Sequence, residues 1–224
     1  MFRAGLRVQK GRSHDAACDL EQVIQTTPSN HWPWFVSTPL LVQTGETAKY
    51  RAQCTEMLRR FSDTTDPDIA ERVAKTCLLL PSTLDPEDSI LAANLADNSV
   101  ALSKKGELAP YRRMGKGLAE YRRGRFASAS ETIDLLQMEL SEPANAGSYD
   151  DCRACACFIS AMAHHQLKET NRARAALNLG REIVRTKLVS ADGKYLTPAW
   201  WSVLMTQILM SEAAKTGGGE TSAP

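Results

Sequence analysis

The sequence predicts an all-helical chain, and three observations predict it. Of the 96 apolar residues among 224, 29 are Ala and 24 are Leu, while Val and Ile together supply 16. Ala and Leu are strong helix formers and β-branched residues favour strands, so an all-β chain is nearly excluded. Turn signals recur about every 15–20 residues, and the segments between them carry apolar residues at helical spacing with no alternating strand pattern.

The elements follow in order. A first helix over 1–10 stops at Gly11, and a second covers 13–26. A third over 31–44 stops at Gly45, and a fourth covers 47–60. Glycine at such a point permits the left-handed backbone that a tight helix–helix turn requires. Asp66-Pro67 sets an N-cap before a first-turn proline and opens a fifth helix over 66–80. Asp85-Pro86 does the same for a sixth over 86–104, and Asp88 three residues on approaches a capping box. Helices over 110–123 and 126–140 flank Gly124, and 148–167 and 170–187 form the next two. Thr197-Pro198 opens the last, over 197–215. From Thr216 the segment TGGGETSAP has no apolar surface to bury and reads as a disordered tail, leaving 1–215 as one domain.

Charge and composition narrow the function classes. Lys and Arg number 27 against 26 Asp and Glu, a formal net charge of +1, which argues against bulk electrostatic binding to nucleic acid or an anionic membrane. No run of 18 apolar residues is present, and the basic opening MFRAGLRVQKG lacks the apolar region of a signal peptide. A cytoplasmic location is therefore expected, with Cys18, Cys54, Cys77, Cys152, Cys155 and Cys157 as reduced thiols.

Successive helices with short, similar turns call for a repeat reading. The clearest unit, from Pro110 to about Pro143, carries Gly117 and Tyr121 in its first helix, Gly124 and Phe126 at the turn, and Ala129, Ile133 and Leu136 in its second. A further unit repeats the pattern with Ala161, His164, Ala173, Leu177 and Gly180, and a partial one has Gly11, Ala16, Leu20, Val23 and Pro28 at matching offsets. Small residues at fixed places let paired helices approach closely. This pattern resembles the tetratricopeptide repeat family over about 13–28 and 110–187, with Leu136 and Tyr50 standing where that family has small residues. The resemblance implies a right-handed α-α superhelix of about five helix pairs plus a C-terminal capping helix.

The segments HWPWFVSTPLL, YRAQCTEMLRRF, DTTDPDIAERVAKTCLLLP and WWSVLMTQILMSEAA are also similar to the helical-repeat tails of large bacterial proteins, where such tails follow a serine/threonine kinase or a similar regulatory domain. Kinase signatures (a His-Arg-Asp loop, Asp-Phe-Gly, a glycine-rich phosphate loop) are missing from the chain. The chain opens at about the fourth position of a repeat, so an upstream segment is expected, and any kinase activity would lie there.

No coherent catalytic set emerges. Cys152, Cys155 and Cys157 with His164 and His165 have ligand-like spacing, but they fall on an Ala-rich helix rather than in a turn that aims sulfur at a metal. They read as packing, with His164 a packed ring, and no metal or cofactor is expected. Trp200 and Trp201 are adjacent, so one of them is expected to be partly exposed. Arg112, Arg113, Lys116, Arg122, Arg123 and Arg125 form the local basic excess. The expected function is a non-catalytic protein–protein interaction scaffold that binds a peptide or protein segment on a concave inner face. The candidate contacts are Arg112, Arg113, Lys116, Trp34 and His165. The alternative is a regulatory or substrate-docking fragment of a larger bacterial signalling enzyme such as a serine/threonine protein kinase.

Overall fold

In the computed structural model, which describes residues 2–103, 105–145 and 147–217, helix follows helix in the predicted order. They are α1 (Phe2–Gln9), α2 (Ser13–Thr26), α3 (His31–Gln43), α4 (Thr47–Phe61), α5 (Pro67–Cys77), α6 (Pro86–Leu102), α7 (Ala109–Arg122), α8 (Phe126–Leu140), α9 (Asp150–Gln166), α10 (Thr170–Ile183) and α11 (Trp200–Gly217). A π-helical turn, Val184–Leu188, extends α10, and the Val189–Tyr195 antiparallel bridge is the extent of strand-like pairing among the described residues. No helix of the described residues is long and apolar enough to cross a membrane.

Four helix pairs are joined by one recurrent turn. Gly11, Gly45, Gly124 and Lys168 all adopt positive φ, at 72°, 76°, 74° and 65°. In each turn the next amide reaches back five residues: Arg12 N to Arg7 O, Glu46 N to Leu41 O, Arg125 N to Glu120 O and Glu169 N to His164 O, at 2.8–3.0 Å. This is the Schellman bond, which satisfies a helix-terminal carbonyl while the left-handed residue reverses the chain. The fourth turn achieves this with a lysine, so the glycine signal missed it.

Close approach within pairs follows from missing side chains. A Cβ on Gly117 would lie 2.5 Å from the Ile133 side chain of α8, and one on Gly180 would lie 2.6 Å from the Phe158 ring of α9. Ala129 and Ala161 are buried as well.

The α5–α6 connection is built differently. The helix predicted to reach residue 80 ends at Cys77. Pro81 disfavours helical backbone at Leu80, and the freed carbonyls are taken by side chains from elsewhere. Tyr50, fully buried where a small residue was expected, sets its hydroxyl 3.0 Å from Thr76 O and 3.2 Å from Cys77 O, and the same oxygen accepts from Leu80 N. Arg122 Nε and Nη2 donate to Leu78 O and Leu79 O at 2.9 and 3.0 Å.

The start signals divide as chemistry would have it. Asp66 accepts from the amides of Asp68 and Ile69, and Asp85 from that of Asp88. Thr197 is not the cap of the last helix. Its hydroxyl accepts from Ala199 N, and α11 starts at Trp200, with Ala199 O receiving the first amides. At the other end α11 runs on through Thr216 and Gly217, two residues expected in the tail. Residues 218–224 lie outside the described residues.

The odd-numbered helices α3, α5, α7 and α9 touch one another in sequence, while each of the pairs α3–α4, α5–α6, α7–α8 and α9–α10 also packs together. Helices α5 and α6 therefore continue the row. The last helix departs from the expected cap. It touches α10, but it also packs on α9 and on α3, crossing the face formed by the odd-numbered helices.

Candidate functional site

Apolar packing and a few polar partners place α11 across this face. Trp200 is buried and reaches α1, where a Cβ on Gly5 would meet its Nε1 at 3.1 Å. Trp201, partly exposed as expected for one of the pair, meets the Trp32 ring of α3 edge-on at 5.2 Å. One turn further, the Thr206 hydroxyl lies 3.2 Å from Cys155 Sγ of α9. Near the end, Glu212 receives both Nη groups of Arg122 from α7, one of them at 2.7 Å to Oε2. Arg122 thus holds the end of α5 and α11 at once.

Between α11 and the odd-numbered helices lies a cavity of about 170 Å³. Four aromatic rings line it: Trp32 and Phe35 of α3, Tyr111 of α7 and Trp201 of α11. Four charged residues also line it: Glu71, Arg72 and Lys75 of α5 and Asp151 of α9. Glu71 and Lys75 are buried and form an ion pair, Nζ to Oε1 at 2.5 Å. Lys75 Nζ also stands 5.1 Å from the centroids of both the Phe35 and Tyr111 rings, which face it with the negative side of their quadrupoles. The Tyr111 hydroxyl donates to Asp151 Oδ1 at 2.9 Å. Burial and that carboxylate push the Tyr111 pKa well up, so its proton stays in place.

Arg72 is placed differently. Its guanidinium carbon lies 5.0 Å from the Trp32 centroid and its Nη1 donates to His31 Nε2 at 2.8 Å. Burial, and then the neighbouring Arg72 charge, lower the His31 pKa, which keeps that ring an acceptor. Among the described residues no carboxylate lies within 4.0 Å of the Arg72 side-chain nitrogens, in contrast to Lys75.

The thiols are built for packing. Cys152 and Cys155 share the face that lines the cavity and Cys157 points elsewhere, as helical spacing requires. Burial pushes Cys155 up to about 12 and Cys157 up to about 11, and raises Cys152 as well, so none is a thiolate at neutral pH. His164 is buried, its Nδ1 2.7 Å from Glu169 Oε2 and its Nε2 3.5 Å from the Ser130 hydroxyl. No group of three or more His, Cys, Asp or Glu side chains able to hold a metal occurs among the described residues.

The sequence-derived contacts do not converge. Arg112 is buried, bonded to Ser103 O and Lys105 O and paired with Asp68 of α5. Arg113 pairs with Glu139 of α8, and Lys116 lies 3.3 Å from Asp97 of α6. Trp34 is buried and its indole donates to Pro28 O, while His165 is half-buried on α9. None of these five lines the cavity. The wider basic stretch is also paired in place: Arg122 with Glu212, Arg123 with Asp97, which it shares with Lys116, and Arg125 with Glu120.

Glu71, Arg72, Lys75 and Tyr111 went unnoticed in sequence because Glu71 and Lys75 at i,i+4 have the form of an exposed helix pair. The available signal was elsewhere. Segments 31–41 and 200–210 are mostly apolar, with their few polar residues scattered among the apolar ones, which marks a helix with little polar surface to turn toward solvent.

Comparison with known proteins gives no match, neither to a family model, nor to a curated protein, nor to a solved structure.

Proposed function

We propose that the chain is a non-catalytic protein-interaction module. In this reading its helix pairs form a tetratricopeptide-like right-handed superhelix whose inner, odd-numbered face takes a helical segment of a protein partner. The observation that carries this reading is α11, an apolar helix of the chain itself, lying on that face through Trp201, Thr206 and Glu212. The face is thus complementary to a helix with an aromatic residue at one end and a carboxylate about three turns on. A partner segment of the same chemistry would take the place of α11 rather than dock on Arg112, Arg113 and Lys116, each of which already has a carboxylate beside it.

The test uses a fluorescently labelled peptide with the sequence of residues 197–217 and the full chain, wild type and Trp201→Ala/Glu212→Ala. Weakening the resident helix is expected to raise peptide affinity at least about tenfold, with helicity by circular dichroism retained. A folded double variant that binds the peptide no better than wild type would sink the reading.

A further inference from the structure

We infer that the cavity beneath α11 is a binding site for a small aromatic carboxylate, its ring held among Trp32, Phe35 and Trp201 and its carboxylate received by Arg72. This goes beyond the proposed protein-interaction role and does not depend on displacement of α11.

Size comes first. The cavity measures about 170 Å³. An engineered apolar cavity of about 150 Å³ takes up benzene, so the space suits one six-membered ring with a short substituent. Trp32, Arg72, Tyr111, Asp151, Trp201 and Ser202 among its lining are part-exposed, so it opens to solvent.

Charge decides which substituent. Lys75 is already neutralised by Glu71, and Asp151 accepts from Tyr111. The ring faces of Phe35 and Tyr111 carry Lys75 and that of Trp32 carries Arg72, so the aromatic faces that a cationic ligand would need are already taken. Arg72 is the cavity-lining cation with no carboxylate near it among the described residues. One of its edges is engaged by His31, which leaves further N–H groups of the planar fork for an acceptor. A carboxylate matches that fork in two parallel bonds, and its attached ring matches the aromatic walls.

The same chemistry has two sources: a free aromatic acid, or the C-terminal carboxylate of a peptide ending in Phe. Calorimetric titration of the full chain would use benzoate and phenylacetate as free acids and Gly-Gly-Phe as the peptide, with acetate, benzyl alcohol and benzylamine as comparators. Protein labelled with ¹⁵N at the tryptophan indoles would report the location.

One-to-one binding of benzoate, phenylacetate or Gly-Gly-Phe is expected, and the tighter source identifies the natural one. Benzyl alcohol, benzylamine and acetate should each bind at least about tenfold more weakly, and the Trp201 indole signal should shift. Arg72→Gln should weaken the aromatic acid at least about tenfold, the scale of a lost charge-assisted bond. Ser202→Trp, which puts a large ring into the cavity from α11 and leaves Arg72 unchanged, should abolish binding and guards against an Arg72 variant that fails to fold. The inference is overturned if neither benzoate, phenylacetate nor the peptide binds. It is equally overturned if benzyl alcohol binds as well as benzoate, or if folded Arg72→Gln or Ser202→Trp protein binds as the wild type does.

Discussion

The junction between α7 and α8 and the junction between α5 and α6 perform one task with different chemistry. At Gly124 the reversal is local: a left-handed residue, a bond from Arg125 N to Glu120 O, and the second helix begins. Between α5 and α6 the chain takes the longer path Leu78–Asp85, and its helix-terminal carbonyls are satisfied by Tyr50 from α4 and Arg122 from α7. A local cap makes a helix pair self-sufficient. A borrowed cap ties the pair to its neighbours, and through the Arg122–Glu212 pair to α11 as well. The irregular junction is therefore where the row of helices and the helix crossing it are mechanically joined.

The largest way to break the contrast is at Tyr50. Tyr50→Ala removes a fully buried ring and the cap together, and should cost about 3–5 kcal/mol in chemical denaturation. Tyr50→Phe isolates the hydroxyl and should cost about 1–3 kcal/mol by leaving buried backbone groups unpaired. A Phe variant as stable as wild type would show that Arg122 alone suffices as the cap.

Within the regular pairs the sensitive point is close approach, not the hydroxyl of a distant residue. Gly180→Ala, with a Cβ 2.6 Å from Phe158, and Gly117→Ala, 2.5 Å from Ile133, should each lose about 1–3 kcal/mol by overpacking. The turn residues come next and move in opposite directions. Gly124→Ala should cost about 1 kcal/mol, because its φ of 74° is costly for any residue with a Cβ. Lys168→Gly, at a φ of 65°, should gain up to about 1 kcal/mol in the same assay. If Lys168→Gly destabilises, side-chain contacts of the lysine outweigh its backbone strain.

The smallest effect concerns the α3–α5 contact and acid. The folded-state pKa of His31 is lowered, by burial and then by Arg72, with Asp66 and Asp68 opposing. Its unfolded value is about 6.5, so between the two values the unfolded chain binds more protons. Stability owed to neutral His31 is complete above pH 6.5 and declines as the pH falls through that region. Melting temperatures between pH 7.5 and 5.5 should fall less in His31→Gln than in wild type, and equal slopes would dismiss the contribution.

Much of this architecture was legible because it is local. The Asp66 and Asp85 caps, the three turn glycines and the small residues Gly117, Ala129 and Ala161 each act within one helix or one pair, and their signals sit within a few residues of their effects. What was not legible is long-range. Tyr50 reads as a misfit to a repeat until the end of α5 lies beside it, and Arg112 reads as a surface cation until Asp68 and two carbonyls surround it. The cavity needs α3, α5, α7, α9 and α11 together, so no single segment announces it.

A row of repeats held only by nearest-neighbour contacts can fray from either end, one unit at a time. Here one helix touches both ends: Trp200 packs beside Gly5 of α1, and Thr206 contacts Cys155 of α9. That clasp raises the mean sequence separation of native contacts, which slows folding, and it couples the first third of the chain to the last. Opening at one terminus must then release the other, so the chain should lose structure as a single cooperative unit, with amide protons of α2 and α9 exchanging on the same timescale.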